Sequence, residues 1–316
     1  MNILLKIRIP GFKALASSFA LAAIGVLCLT QATHVAWAQN STTINAVGVE
    51  NEYADVIKQI GGQYVTVSSI ESDPNTDPHV FEASPSVAAE VAQAQLIVRN
   101  GLGYDDWVEQ ILSAAPNAQR QVIDVQTLLG VPDSEPNPHL WYKPVTMPNV
   151  ARAVANALST LDPAHSQYYS DNVKTFDDSL TPWYKAIAEF NDQYGGTTVA
   201  VTEPVADYMI EDIGCIIKTP WNLQAAIMNG TDPSPQDVSF QNQLLSGQVK
   251  VFCYNQQVTD SLTQSFLQLA AKSNIPVVGV YETMPTGYTY QEWMLAEVQA
   301  MTKAVKDGTS TTVLSK

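Results

Sequence analysis

Two short phrases of this chain are nearly the same, and each carries an imidazole: Asp77-Pro78-His79-Val80-Phe81 and Asn137-Pro138-His139-Leu140-Trp141. Proline fixes its own φ and restricts the residue before it, so each ring is presented from a stiff loop. Metal coordination favours such presentation, because a ligand already held in place loses less entropy on binding. A lone histidine is more often a surface or satisfied core residue, and the doubled phrase argues against that reading here. His165, near the polar start of a long helical stretch, keeps it.

Two imidazoles do not complete a metal site. Open α/β sheets bind ligands at the carboxyl ends of their strands, and two acidic residues stand at such ends. Glu203 directly follows the apolar run 197–202, and Glu282 directly follows 275–281. His79 lies in the long loop after 64–70, and His139 in the loop after 121–125. Taken singly, either glutamate could be a solvated loop carboxylate or a helix cap. Four candidate ligands on four strand-exit loops, two before and two after a long gap, favour ligation.

The runs that must position them are 44–49, 64–70, 96–99 and 121–125, then 197–202, 215–218, 249–254 and 275–281. They are short, rich in Val and Ile, and continuous rather than alternating, as in parallel sheets buried on both faces. Helical stretches lie between them. One opens at Ser84-Pro85 and runs to about Ala94, another covers 105–115, and a third runs from Pro148 to Leu158. Strands alternating with helices give an α/β fold, and four strands on each side of the gap give two lobes. Within the gap, Val173, Phe176, Leu180, Trp183, Ile187 and Phe190 are spaced 3, 4, 3, 4, 3. That is one apolar stripe along a helix over 163–191, about 44 Å long at ~1.5 Å per residue. The unbroken stripe favours a single backbone helix joining the lobes over two surface helices, although Pro182 should kink or split it. The expected organisation is a leader over 1–38, one lobe over 39–162, the linking helix over 163–191 and a second lobe over 192–316.

The leader has Lys6, Arg8 and Lys13, then an apolar stretch over 14–29, then Val35-Ala36-Trp37-Ala38 as a small-residue exit. This predicts a secretory signal peptide cleaved after Ala38, and hence export to the periplasm. The apolar run is short for a bilayer span. Cys28 follows Leu27 rather than a small residue, so no lipid anchor is expected. Cleavage removes three basic residues and no acidic one, moving the formal charge from −15 to −18. Such acidity argues against a nucleic-acid or anionic-membrane partner.

Further motifs extend along the chain. Ile60-Gly61-Gly62 precedes a strand, Phe81-Glu82 and Ser84-Pro85-Ser86 follow His79, and Asn100-Gly101-Leu102-Gly103-Tyr104 leads to Trp107. Tyr168-Tyr169 and Asn172 open the long helix, and Thr202-Glu203 is followed by Tyr208. Asp232-Pro233-Ser234-Pro235 precedes the strand over 249–254, and Tyr290 follows Glu282. In order and spacing the chain resembles the metal-specific solute-binding proteins of ABC transporters, the zinc and manganese uptake family. The resemblance implies two lobes joined by a rigid helix with the metal in the cleft between them, a four-stranded parallel sheet flanked by helices in each, and delivery of the ion to an ABC importer. Carried over residue by residue, it puts the ligands at His79, His139, Glu203 and Glu282. The family's fourth ligand is usually an aspartate, so Glu282 departs from the pattern. Asp207, beside an altered segment after Glu203, is a spare carboxylate that could serve instead.

Imidazole suits zinc, copper, nickel and iron, whereas carboxylate suits harder ions such as manganese. Glu203 in the place of a third histidine, with no His-rich stretch, tilts the expected cargo toward Mn2+, with Zn2+ the close rival and Fe2+ a third. The expected partners are a membrane permease subunit and its ATPase, and the protein is expected to be a monomer. A secreted metal-dependent hydrolase is the competing class. It would need an open coordination position, a nearby general base, or a motif such as G-x-S-x-G or H-E-x-x-H, which the sequence lacks. A metal-buffering or adhesion protein without a transporter is a third reading. No enzymatic activity is expected. Cys215 and Cys253 should lie on non-adjacent strands, ~10 Å apart and beyond the ~7 Å limit for a disulfide. They are expected as free, buried thiols, with Cys253 a minor candidate for a soft metal ligand.

Overall fold

Eight short apolar runs form eight parallel strands because both faces of each sheet are covered. In the computed structural model, which describes residues 43–315, the first four are β1 (Ile44–Glu50), β2 (Val65–Glu71), β3 (Leu96–Arg99) and β4 (Gln121–Asp124). The second four are β5 (Thr198–Val201), β6 (Ile216–Ile217), β7 (Val251–Asn255) and β8 (Val277–Val280). Every residue of β3, β7 and β8 is buried. The expected leader over 1–38, with Cys28, lies outside the described residues.

The sheets have the same topology, β2-β1-β3-β4 and β6-β5-β7-β8. Each opening strand is central: Val47 pairs with Ser68 on one side and Ile97 on the other. Val199 likewise pairs with Ile217 and Val251. Parallel order puts all carboxyl ends of a sheet along one edge, where loops can converge on a ligand. Cys215 precedes β6 and Cys253 lies in β7, with β5 between them. Both thiols are free and buried, as the strand order requires.

The first lobe carries α1 (Asn51–Gly61), α2 (Pro85–Gln93), α3 (Trp107–Ala114), α4 (Val125–Leu129) and α5 (Thr146–Leu161). After α6 (Ser166–Ser179) and α7 (Thr181–Tyr194) come α8 (Asp207–Asp212), α9 (Trp221–Met228), α10 (Pro235–Gln243), α11 (Ser261–Lys272) and α12 (Tyr290–Asp307). Local chemistry sets several starts. The Ser84 hydroxyl accepts the Val87 N–H with Pro85 in the first turn, and Ser234, Asp237 and Pro235 repeat the device on α10.

The single helix expected over 163–191 is two helices meeting at Leu180. Pro182 has no N–H to donate into the preceding turn, so the ladder breaks there. The apolar stripe survives the break. Phe176, Leu180, Trp183 and Phe190 are buried in one apolar cluster that reaches from Tyr53 and Trp141 in the first lobe to Met209, Val278 and Trp293 in the second. Truncating a buried indole such as Trp183 to alanine costs about 3–5 kcal/mol. The α6–α7 pair is therefore part of the core that joins the lobes.

Polar bonds reinforce the joint. Asn51 exchanges two hydrogen bonds with the backbone of Met284, the Asp55 carboxylate accepts the Tyr290 N–H, and Tyr290 donates its hydroxyl to the Trp141 carbonyl. His165 sits in the short turn before α6, stacked on Tyr64 at 3.7 Å with its Nδ1 2.6 Å from Asp162. It is a satisfied structural residue.

Candidate metal centre

The doubled phrase folds the same way twice. Asp77 Oδ1 accepts the His79 N–H at 2.9 Å, and Asn137 Oδ1 accepts the His139 N–H at 3.1 Å. Each is a side-chain turn closed two residues on, with a short 3-10 turn that runs through His79 at Pro78–Val80 and starts just after His139 at Leu140–Tyr142. Asn137 does more than Asp77. Its Nδ2 donates to the Pro204 carbonyl across the cleft, which orients the amide and leaves Oδ1 2.7 Å from His139 Nδ1. His139 therefore carries its proton on Nδ1 and turns the Nε2 lone pair outward.

That lone pair meets Glu282. His139 Nε2 is 3.3 Å and His79 Nε2 3.2 Å from the same oxygen, Glu282 Oε2. Ligand atoms of His79, His139 and Glu282 all lie within 4.8 Å of one another, and this is the one such group of three among the described residues. The His79 contact is close but lacks hydrogen-bond alignment. Two ring nitrogens converging on one carboxylate oxygen, with His79 Nε2 left without a hydrogen-bond partner, are a donor set that fits a cation.

Glu282 extends from the end of β8 and is buried. Its backbone N–H and that of Thr283 donate to Gln257 Oε1, while Tyr104 donates its hydroxyl to Oε2 at 3.0 Å. Gln257 also donates to the Thr76 carbonyl, tying the exit of β7 to the His79 loop. Tyr104 is placed by three successive left-handed residues, Gly101, Leu102 and Gly103, in the motif that was notable in the sequence but had no assigned role.

Glu203, at the end of β5, stands one amide farther away. Its Oε2 accepts from Asn255 Nδ2 at 3.3 Å, and the same nitrogen donates to Glu282 Oε1 at 2.6 Å. Glu203 Oε1 is buried without a hydrogen-bond partner. Asp207 is buried at the start of α8 and, like Cys253, is absent from the three-ligand group. The Cys253 thiol instead faces Met301 Sδ at 3.4 Å. Asn255, Gln257 and Tyr104 were not singled out from the sequence. Asn255 ends β7, so the strand-end rule that marks both glutamates marks this amide as well.

The electrostatics divide by residue. Burial opposes ionisation of Glu282, but the close ring contacts of His139 and His79, with the charge of His79, drive its carboxyl well below the usual range. Burial lowers the His79 pKa, and the Glu282 contact with nearby Asp77 and Glu203 overcomes this, raising it to about 9. For His139 burial wins and the ring is held neutral. Burial, with the charge of Glu282, raises the Glu203 carboxyl well above the usual range. Behind the site a second tier of acids sits at the ends of β1 and β2 and in the Tyr104 loop. Burial raises Glu71 to about 8 and Asp105 to about 6, and pushes Glu50 well above its ordinary value. Arg99 pairs with Glu109 and Asp124, and among the described residues no arginine or lysine ion-pairs with Glu203 or Glu282. The local field therefore favours a cation.

Comparison with known proteins bears on family and fold. The model of a family described as zinc-uptake complex component A, periplasmic (ZnuA) matches residues 49–304. A putative metal-binding protein of Treponema pallidum is 26% identical over 184 residues, 51% of this chain and 57% of that protein. The metal ABC transporter substrate-binding lipoprotein ScbA of Streptococcus cristatus is 28% identical over 175 residues, 51% of this chain and 56% of that protein. The chain thus spans just over half the length of these two relatives. The solved structure of the SBP FpvC from Pseudomonas aeruginosa in complex with Mn2+ superposes with a TM-score of 0.69 at 18% identity, covering 84% of this chain and 99% of that one. That likeness is one of fold.

Proposed function

This chain belongs to the family of the periplasmic component A of the zinc-uptake complex, and from that membership we propose that it binds one divalent transition-metal ion outside the cytoplasmic membrane and delivers it to an ABC importer. The observation that carries the proposal is the convergence of His79 Nε2, His139 Nε2 and Glu282 Oε2 from two lobes onto one point. These three hold the ion, and Glu203, at the end of β5 with a buried oxygen that has no hydrogen-bond partner, completes the set. The cargo is manganese or zinc, with ferrous iron chemically admissible, since two imidazoles and two carboxylates combine donors suited to each.

The protein acts by binding and release rather than turnover. Four protein ligands close the coordination sphere that a hydrolytic metal would keep open for water. The lobes at 39–162 and 192–316, carried on the helical segment 163–191, supply two ligands each. Export rests on the leader over 1–38, with cleavage after Ala38 and no lipid on Cys28, unlike the relative named as a lipoprotein. No helix among the described residues is long and apolar enough to cross a membrane. A permease subunit with its ATPase receives the ion from a monomeric binding protein.

Competition titration of the mature protein with manganese and zinc against a chromogenic chelator tests this. Wild type should bind one ion, and His79→Ala and His139→Ala should each weaken binding by about 100-fold or more, since loss of mere outer-shell partners already costs about 10–100-fold. Unchanged binding in both variants would place the site elsewhere.

A further inference from the structure

The Asn255 amide touches both carboxylates of the site, and the oxygen it takes from each decides which remains. Its orientation is fixed: Oδ1 accepts the Gln257 N–H at 2.9 Å, which turns Nδ2 toward the glutamates. Nδ2 then donates to Glu282 Oε1 at 2.6 Å and to Glu203 Oε2 at 3.3 Å. The oxygens the amide does not touch are Glu282 Oε2, which faces both imidazoles and accepts the Tyr104 hydroxyl while keeping a second lone pair, and Glu203 Oε1, which has no hydrogen-bond partner. Asn255 itself is 1% exposed, and its amide cannot swing aside without breaking its bonds to Gln257, Glu203 and Glu282.

We propose that Asn255 is a specificity-determining residue that limits each glutamate to a single oxygen donor. It acts through the ligands and does not itself touch the ion. This rests on the metal-binding reading above and goes beyond it. A carboxylate with both oxygens free can ligate bidentately, and two such groups plus two imidazoles offer up to six donors. With one oxygen of each held toward the amide, each carboxylate presents its other oxygen to the ion, and the protein offers four. Four mixed nitrogen and oxygen donors suit the tetrahedral preference of zinc, whereas manganese favours a fuller, oxygen-rich shell. The amide therefore biases an otherwise permissive donor set toward zinc, and its removal relaxes that bias.

The test measures manganese and zinc affinities of wild type, Asn255→Ala and Asn255→Leu in parallel, the leucine variant filling the space if alanine destabilises the fold. Both substitutions should shift the ratio of the two affinities toward manganese by about tenfold or more, within the range known for outer-shell changes. X-ray absorption of the zinc-loaded wild type should show four nitrogen or oxygen donors at ~2.0–2.2 Å. An unchanged ratio, a shift toward zinc, or five or more donors in the wild-type zinc complex overturns the proposal. A merely structural role would weaken both metals alike and leave the ratio where it was. Failure of wild type to bind either metal would instead overturn the metal-binding reading itself.

Discussion

The two lobes hold their ligands by different means. In the first, His79 and His139 are stiffened by their own neighbours, an Asx side chain two residues back and a proline between. In the second, Glu203 and Glu282 stand at bare strand ends and are oriented from afar, by Asn255 at the end of β7, by Gln257 just after it and by Tyr104 from the opposite lobe. Imidazole is rigid beyond two torsions, so fixing its backbone nearly fixes the nitrogen. A glutamate has three torsions and two equivalent oxygens, so it needs partners on the carboxylate itself.

If the distant bonds define the hub, Glu282→Ala should be the most damaging change in the site. Its Oε2 is the one atom near both imidazoles, so metal affinity should fall by more than about 100-fold and exceed the loss from either histidine variant. A smaller loss than for His79→Ala, measured by the same chelator competition, would break the contrast between hub and spokes.

The pH dependence sharpens it next. His79 has a raised pKa of about 9 against an ordinary 6.5, so its protonation stabilises the metal-free protein below about pH 6.5. That contribution is lost as pH rises through about 9, while the proton that competes with metal leaves. Metal-free thermal stability should therefore decline between pH 7 and 9 as affinity rises by about tenfold per unit. A flat affinity profile over that interval would show that the Glu282 hub does not hold a proton on His79.

The smallest effect separates the two imidazole loops. Asn137 orients both backbone and ring of His139, whereas Asp77 meets only the backbone of His79. Asn137→Ala should cost about tenfold in affinity and Asp77→Ala less. Equal losses would mean that the ring contact at 2.7 Å contributes little.

Much of this was legible before folding. The eight strands follow from continuous Val-rich and Ile-rich runs, since only sheets covered on both faces tolerate them. The Pro-framed histidines announced themselves because their presentation is local. Less was legible at α6–α7, where the apolar period carries straight across Leu180 and Pro182 alone marks the break. Tyr104 was visible only as part of a glycine motif, because the oxygen it donates to is 178 residues away in sequence.

Residue types and patterns alone determined that two imidazoles would stand in stiff loops beyond their strands and two carboxylates at strand ends, because type, strand pattern and topology rules are all local or nearly so. How many oxygens those carboxylates offer is a tertiary matter. It depends on one amide at the end of β7 reaching Glu203 across 52 residues and Glu282 across 27, and no spacing rule encodes that meeting. Sequence therefore sets which atoms can bind, and packing sets which of them are free to do so.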